Sequence, residues 1–222
     1  MELSPLRIVA ILVVVFTWAS YLWDRISGTQ ARADELHDVR SRLAKQPKRN
    51  DASAEEVQLA LQLRTMREQF AARLGDVQAC SRCVRPQSTR WPGGHCCSGH
   101  TRDRFSDCEL GALRLSGTTP RHMLAPRSEQ AGCVFRGPRG CSLAVAHRPF
   151  LCVSYLCRDL QNELDQRGDG APLAELKREL HLQFERFVEA RTERERSTEL
   201  QALEASLSNG ARHSVAKRAA GR

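Results

Sequence analysis

The sequence predicts a mainly α protein in which helices frame a small, irregular, cysteine-rich metal-binding core. Three observations predict it. Apolar residues recur at helical spacing on both sides of a central region. All nine cysteines lie within that region, between positions 80 and 157. Glycines and prolines interrupt the cysteine-bearing segments, which excludes one long helix or strand there. Aromatic residues make up only 5% of the 222-residue chain, few for a large core, and a small, poorly apolar domain needs a cross-link or a metal.

The N-terminal element is an apolar run. Ile8 to Trp23 carries no charge over 16 residues, ~24 Å of helix against a bilayer core of roughly 30 Å. Trp18, Tyr21 and Trp23 crowd its end, where amphipathic rings favour the headgroup region. A cleaved signal peptide is the alternative, but bulky Tyr21-Leu22-Trp23 makes a poor cleavage context. The expectation is a membrane anchor over residues 1–28. Arg25, Arg32, Arg40 and Arg42 follow the span and Arg7 precedes it, a bias that places the following domain in the cytoplasm. In that compartment the cysteines are thiols or metal thiolates, and their odd number also opposes complete disulfide pairing.

Residues 29–76 read as juxtamembrane helices. Leu36, Val39 and Leu43 share one helical face, and Pro47 ends it. Ser53 with Glu56 three residues later is a capping box for a second helix, whose apolar face carries Leu59, Leu63, Met66, Phe70 and Leu74. Gly75 is its stop. Packing on the metal domain is preferred over a coiled-coil dimer, because few heptads are present.

Residues 77–158 form the cysteine-rich domain. Cys80-Ser-Arg-Cys83 sets two sulfurs on one turn, the separation one tetrahedral ion needs. Arg82, Arg85 and Arg90 lower the cost of the thiolate charge. Cys96 and Cys97 are adjacent, so along an extended chain they point apart and suit neighbouring ions. His95 and His100 are spare donors, read first as surface residues. A redox role for the C-x-x-C is disfavoured, since it follows a helix and precedes glycine-rich coil rather than sitting in a βαβ unit. Cys108 reads as half-buried apolar filler. The second cluster is Cys133, Cys141, Cys152 and Cys157, with His147 among them.

These residues resemble a known family. Cys80-x-x-Cys83, the Cys96-Cys97 pair, Cys133-Val-Phe, Gly140-Cys141-Ser-Leu and Arg148-Pro149-x-x-Cys152 are similar to the YkgJ-type zinc- or iron-chelating domain, over about residues 78–158. That family is marked by C-x-x-C-x-x-C-C followed by C-x-F/Y-L and later C-x-I-Y-x-x-R-P-x-x-C-R. This chain departs in its first half, where 12 residues separate Cys83 from Cys96, a loop insertion of small entropic consequence. Cys157 stands where the family has arginine and proline. The resemblance implies metal chelation in a bacterial protein, with zinc or iron as the ion or an iron–sulfur cluster in its place. Arg148 is expected to donate hydrogen bonds to the thiolates. One relative, the flagellin lysine methylase, is an enzyme, and a metal-dependent redox or group-transfer enzyme is the alternative reading. Glu109 and His122 are available acid–base groups, but no spacing marks them.

Residues 159–208 read as C-terminal helices. Arg158 to Gln166 is a short one closed by Gly168-Asp-Gly170. Pro172 suits the first turn of a long one with Leu173, Leu176, Leu180, Phe184, Phe187 and Val188 on its apolar face. Asn209-Gly210 is the expected stop, with a disordered basic tail over 209–222. The helices offer a face to a protein partner or a second copy. The excess of 34 basic over 26 acidic residues is spread along the chain, which predicts no specific nucleic-acid partner.

Overall fold

A computed structural model of the chain describes residues 30–75, 101–126, 133–137 and 140–220, and these are mainly helical. The first helix, α1, covers residues 30–45. Its inward stripe is Val39 and Leu43, both buried. Arg40 donates from Nε and Nη2 to the Met123 carbonyl at 3.0 and 2.7 Å, tying α1 to a distant loop.

Helix α2 runs Ala54–Leu74. Ser53 Oγ accepts the Glu56 N–H at 3.1 Å while the Glu56 carboxylate accepts the Ser53 N–H at 3.0 Å, so two of the orphan donors at the helix start are satisfied. Gly75 ends the helix at φ +56°, backbone that L side chains rarely adopt, and its N–H donates to Ala71 O.

A single turn, α3 (Thr101–Arg104), leads to α4 (Asp107–Leu115), capped by Ser106. Helix α4 is the hub. Leu110 and Leu113 enter a first core with Val39, Leu43, Phe105, Met123, Val134, Phe135 and Leu143. Ala112 and Leu115 enter a second core with Leu59, Ala60, Leu63, Leu180 and Phe187. Each fully buried large side chain here contributes roughly 1.5–3 kcal/mol.

After 3₁₀ turns at Pro120–His122 and Val145–His147 comes α5, Phe150–Ser154. Between those turns lies a minimal antiparallel pair, β1 (Arg136–Gly137) and β2 (Gly140–Cys141), with Arg136 opposite Cys141. Helix α6 (Arg158–Arg167) ends on Gly168 in the left-handed region at φ +77°. Its Leu160 and Leu164 build a third core with Phe70, Val153, Leu173 and Leu176.

The last helix, α7, spans Gly170–Ala220 and lies along α2. Buried Glu56 also accepts from Arg194 Nε at 2.7 Å, so the α2 cap is clamped by α7. Arg191 reaches over Gly111 to the Asp107 carbonyl at 2.9 Å and Gln46 Oε1 at 3.0 Å. A side chain at Gly111 would collide with that guanidinium.

Two expectations are corrected. Helix α7 does not stop at Asn209-Gly210 but continues to Ala220; alanines 202, 205, 211 and 216 flank the weak pair and favour the helix. No helix among the described residues is long and apolar enough to cross a membrane, because the long helices, α2 and α7, carry charges throughout. The expected anchor at 1–28, with Ile8 to Trp23, lies outside the described residues. The expectation of a single-pass membrane protein is corrected on that finding.

Candidate functional site

The first core ends in a thiol corner. Cys133 is buried beneath the β1–β2 hairpin, and Cys141 on β2 packs against the same apolar cluster. Local backbone builds the corner: the Arg136 N–H donates to Cys133 O at 2.9 Å and the Ser142 N–H to Phe135 O at 2.8 Å, folding 133–142 back on itself. Phe105 and Phe135 pack in the same core with ring centroids 5.3 Å apart.

The Cys133 sulfur is surrounded by donors. Burial pushes its pKa up. The Phe135 N–H works against that shift, neighbouring Cys141 adds to it, the Thr101 hydroxyl opposes it, and Glu35 adds to it. Thr101 is itself held: its hydroxyl lies 2.6 Å from the Glu35 carboxylate and accepts the Val134 N–H at 3.0 Å. Arg32 brings a cation to the same place, donating to Val134 O at 2.7 Å. Burial lowers the Arg32 pKa, and attraction to Cys133 and Glu35 raises it again. Cys133 is therefore a thiol at neutral pH.

The predicted ligands divide. Cys80, Cys83, Cys96 and Cys97, with His95 and His100, lie outside the described residues. Cys133 and Cys141 are brought together. Cys152 sits on α5, while Cys157 precedes α6 and packs against the third core. Among the described residues no group of three or more His, Cys, Asp or Glu side chains is gathered to hold a metal ion. Cys133 and Cys141 border the first core and Cys157 the third. Arg148 gives its Nε–H to the Leu143 carbonyl at 2.8 Å and so braces a loop. Arg32, on α1, lies near the Cys133 thiol, and Arg191 near Cys108. Cys108 is half-buried, with its pKa raised by burial.

A second polar cluster lies between the cores. Glu109 on α4 is 5% exposed and accepts the Phe150 N–H at 3.0 Å. Burial pushes its pKa up to about 7; the Phe150 N–H, Arg67 and the Leu151 N–H hold it from going further. Arg67 on α2 is 1% exposed, and burial takes its pKa down to about 10 against the attraction of Glu109. Its Nε and Nη2 have no hydrogen-bond partner among the described residues. His147 Nδ1 lies 3.0 Å from Thr118 Oγ1, and its ring stacks on His122 at 4.2 Å between centroids. Burial lowers the His147 pKa, and His122, Arg64 and Arg67 lower it further.

Sequence reasoning passed over Arg67. Its signal was register: Leu59, Leu63, Arg67 and Phe70 follow one another at helical spacing, which puts a cation on the buried stripe of α2. No family model, curated protein or solved structure matches this chain, so its site is read from its own residues.

Proposed function

We propose that this chain is a metal-binding protein of the YkgJ kind, in which Cys133 and Cys141 supply thiolates to a zinc or iron centre completed by cysteines of the 80–97 segment. One observation carries the reading. Cys133 and Cys141 border the same apolar core, with the Phe135 N–H donating toward Cys133 and the Arg32 cation near it. Such donors offset thiolate charge and orient sulfur toward an ion. Two sulfurs are half of a tetrahedral thiolate set. Cys97 precedes Thr101, the residue at Cys133, by only four positions, so the chain can bring the remaining ligands to the same corner.

The ion's contribution is a cross-link. Two-residue strands are too short to hold the hairpin, and a shared metal would fix it against α1 and α3. Elemental analysis with a visible spectrum on the chain purified under reducing conditions tests this. Zinc or iron near stoichiometric amount is expected, with loss of most of it in Cys133→Ser and Cys141→Ser. A metal-free protein, or full loading in both variants, would sink the reading.

A further inference from the structure

The segment that follows α4 is surrounded by cations from separate elements. Arg49 donates from Nε to the Leu115 carbonyl at 2.8 Å, and Arg64 on α2 donates from Nη1 to the Ser116 carbonyl at 3.1 Å. The two guanidiniums converge on Gly117. A Cβ there would lie 3.6 Å from Arg64 Nη1 and 3.9 Å from Arg49 Nη2. Gly117 is exposed, so this convergence is at the surface.

The next two residues hold a pair of imidazoles. His147 Nδ1 lies 3.0 Å from Thr118 Oγ1, and His122 Nδ1 accepts the Thr119 N–H at 3.0 Å. The two rings are stacked and parallel within 6°. An amide N–H can only donate, so the neutral His122 ring carries its proton on Nε2 and has that donor to offer elsewhere. The Val145–His147 turn packs against α2, where the charges of Arg64 and Arg67 act on His147. Arg67 is the buried member of the group, with Nε and Nη2 unpartnered among the described residues.

Nearby acids do not balance these cations. Glu68 accepts from Arg64 Nε at 3.1 Å, and Glu109 gives its carboxylate to the Phe150 and Leu151 amides. Three guanidiniums thus stand against two carboxylates, before either imidazole takes up a proton. A buried donor without an acceptor is costly, and an anion supplies the acceptor.

We propose that Arg49, Arg64, His122 and His147, backed by the buried charge of Arg67, bind a phosphate group, as the free ion or as a phosphomonoester. Guanidiniums match phosphate oxygens in pairs. Donors arriving from several elements suit an anion with three or more acceptor oxygens better than a carboxylate with two.

Calorimetric titration of the full-length chain in low salt, with inorganic phosphate and separately with phenyl phosphate, tests the proposal. Saturable binding at one site is expected, with a dissociation constant of about 10 µM to 1 mM. Tighter binding of phosphate identifies the free ion as the ligand, and tighter binding of phenyl phosphate identifies an ester. Arg49→Gln and His122→Gln should each weaken binding about tenfold while thermal unfolding stays near that of the wild type, since both side chains are exposed. Arg178→Gln, at an exposed arginine on α7, should change nothing. Absence of binding of both ligands up to about 10 mM overturns the proposal. So does binding that survives both site variants, an equal loss in Arg178→Gln, or acetate that competes as well as phosphate.

Discussion

The helical frame and the thiol corner are held by different means. The frame of α2, α4 and the near half of α7 has long elements with their own caps, two apolar cores and buried ionic clamps such as Glu56 with Arg194. The corner has two strands of two residues each, one phenylalanine pair and side chains borrowed from α1 and α3. A region of the first kind is stable through burial alone. A region of the second kind holds its shape only where contacts distant in sequence converge.

Cutting into the frame should have the largest effect. Phe187→Ala removes a fully buried ring from the second core and should lower unfolding stability by about 3–5 kcal/mol in urea titration. A loss below about 1 kcal/mol would show that the frame is less cohesive than its packing implies.

The buried pair comes next, and its effect depends on pH. Arg67→Met strands the Glu109 carboxylate, which costs about 3 kcal/mol while Glu109 is ionised. Glu109 has its folded pKa raised to about 7 from an ordinary value of 4.5, so the folded state takes up its proton first and stability from this group rises as pH falls from about 7 toward 4.5. The destabilisation by Arg67→Met should therefore be large at pH 8 and much smaller at pH 5. An equal loss at both would mean that Glu109 is not the partner. His147 acts in the opposite sense. Its folded pKa lies below the ordinary 6.5, so the unfolded chain takes up that proton first and stability from this group falls as pH drops below 6.5. Replacing His147 with Gln should flatten that decline in the same titrations.

The corner should respond locally. Hydrogen exchange is expected to show the 133–142 amides losing protection on chelator treatment while α2 and α4 keep theirs. Uniform loss across both regions would erase the distinction between them.

The smallest effect belongs to the cap. Ser53→Ala should cost about 1 kcal/mol, measured by the same urea titration, by freeing the Glu56 N–H. A loss above about 3 kcal/mol would mean that the Glu56–Arg194 clamp depends on Ser53.

Much of the frame was legible in advance. Ser53 with Glu56, Gly75 and Gly168 act within a few residues, so their roles are written in local sequence. The apolar periods of α2 and α7 are equally local, and they named Leu59, Leu63, Phe70, Leu173, Leu180 and Phe187 as core. The corner was legible only as a list of cysteines. Motif spacing set Cys133, Cys141, Cys152 and Cys157 side by side as equivalents, whereas packing puts Cys133 and Cys141 at the first core and Cys157 at the third.

The residues of this chain determined by themselves where helices begin, which faces are apolar and that sulfur is concentrated in one region, because caps and periodicity are short-range properties. The tertiary structure alone decided that Arg32 lies near Cys133 and that Arg148 holds the Leu143 carbonyl, that Arg67 is buried near Glu109, and that Cys133 and Cys141 are neighbours. Those contacts join elements far apart in the sequence, and which partners meet is fixed by how the cores pack, a quantity that no local pattern carries.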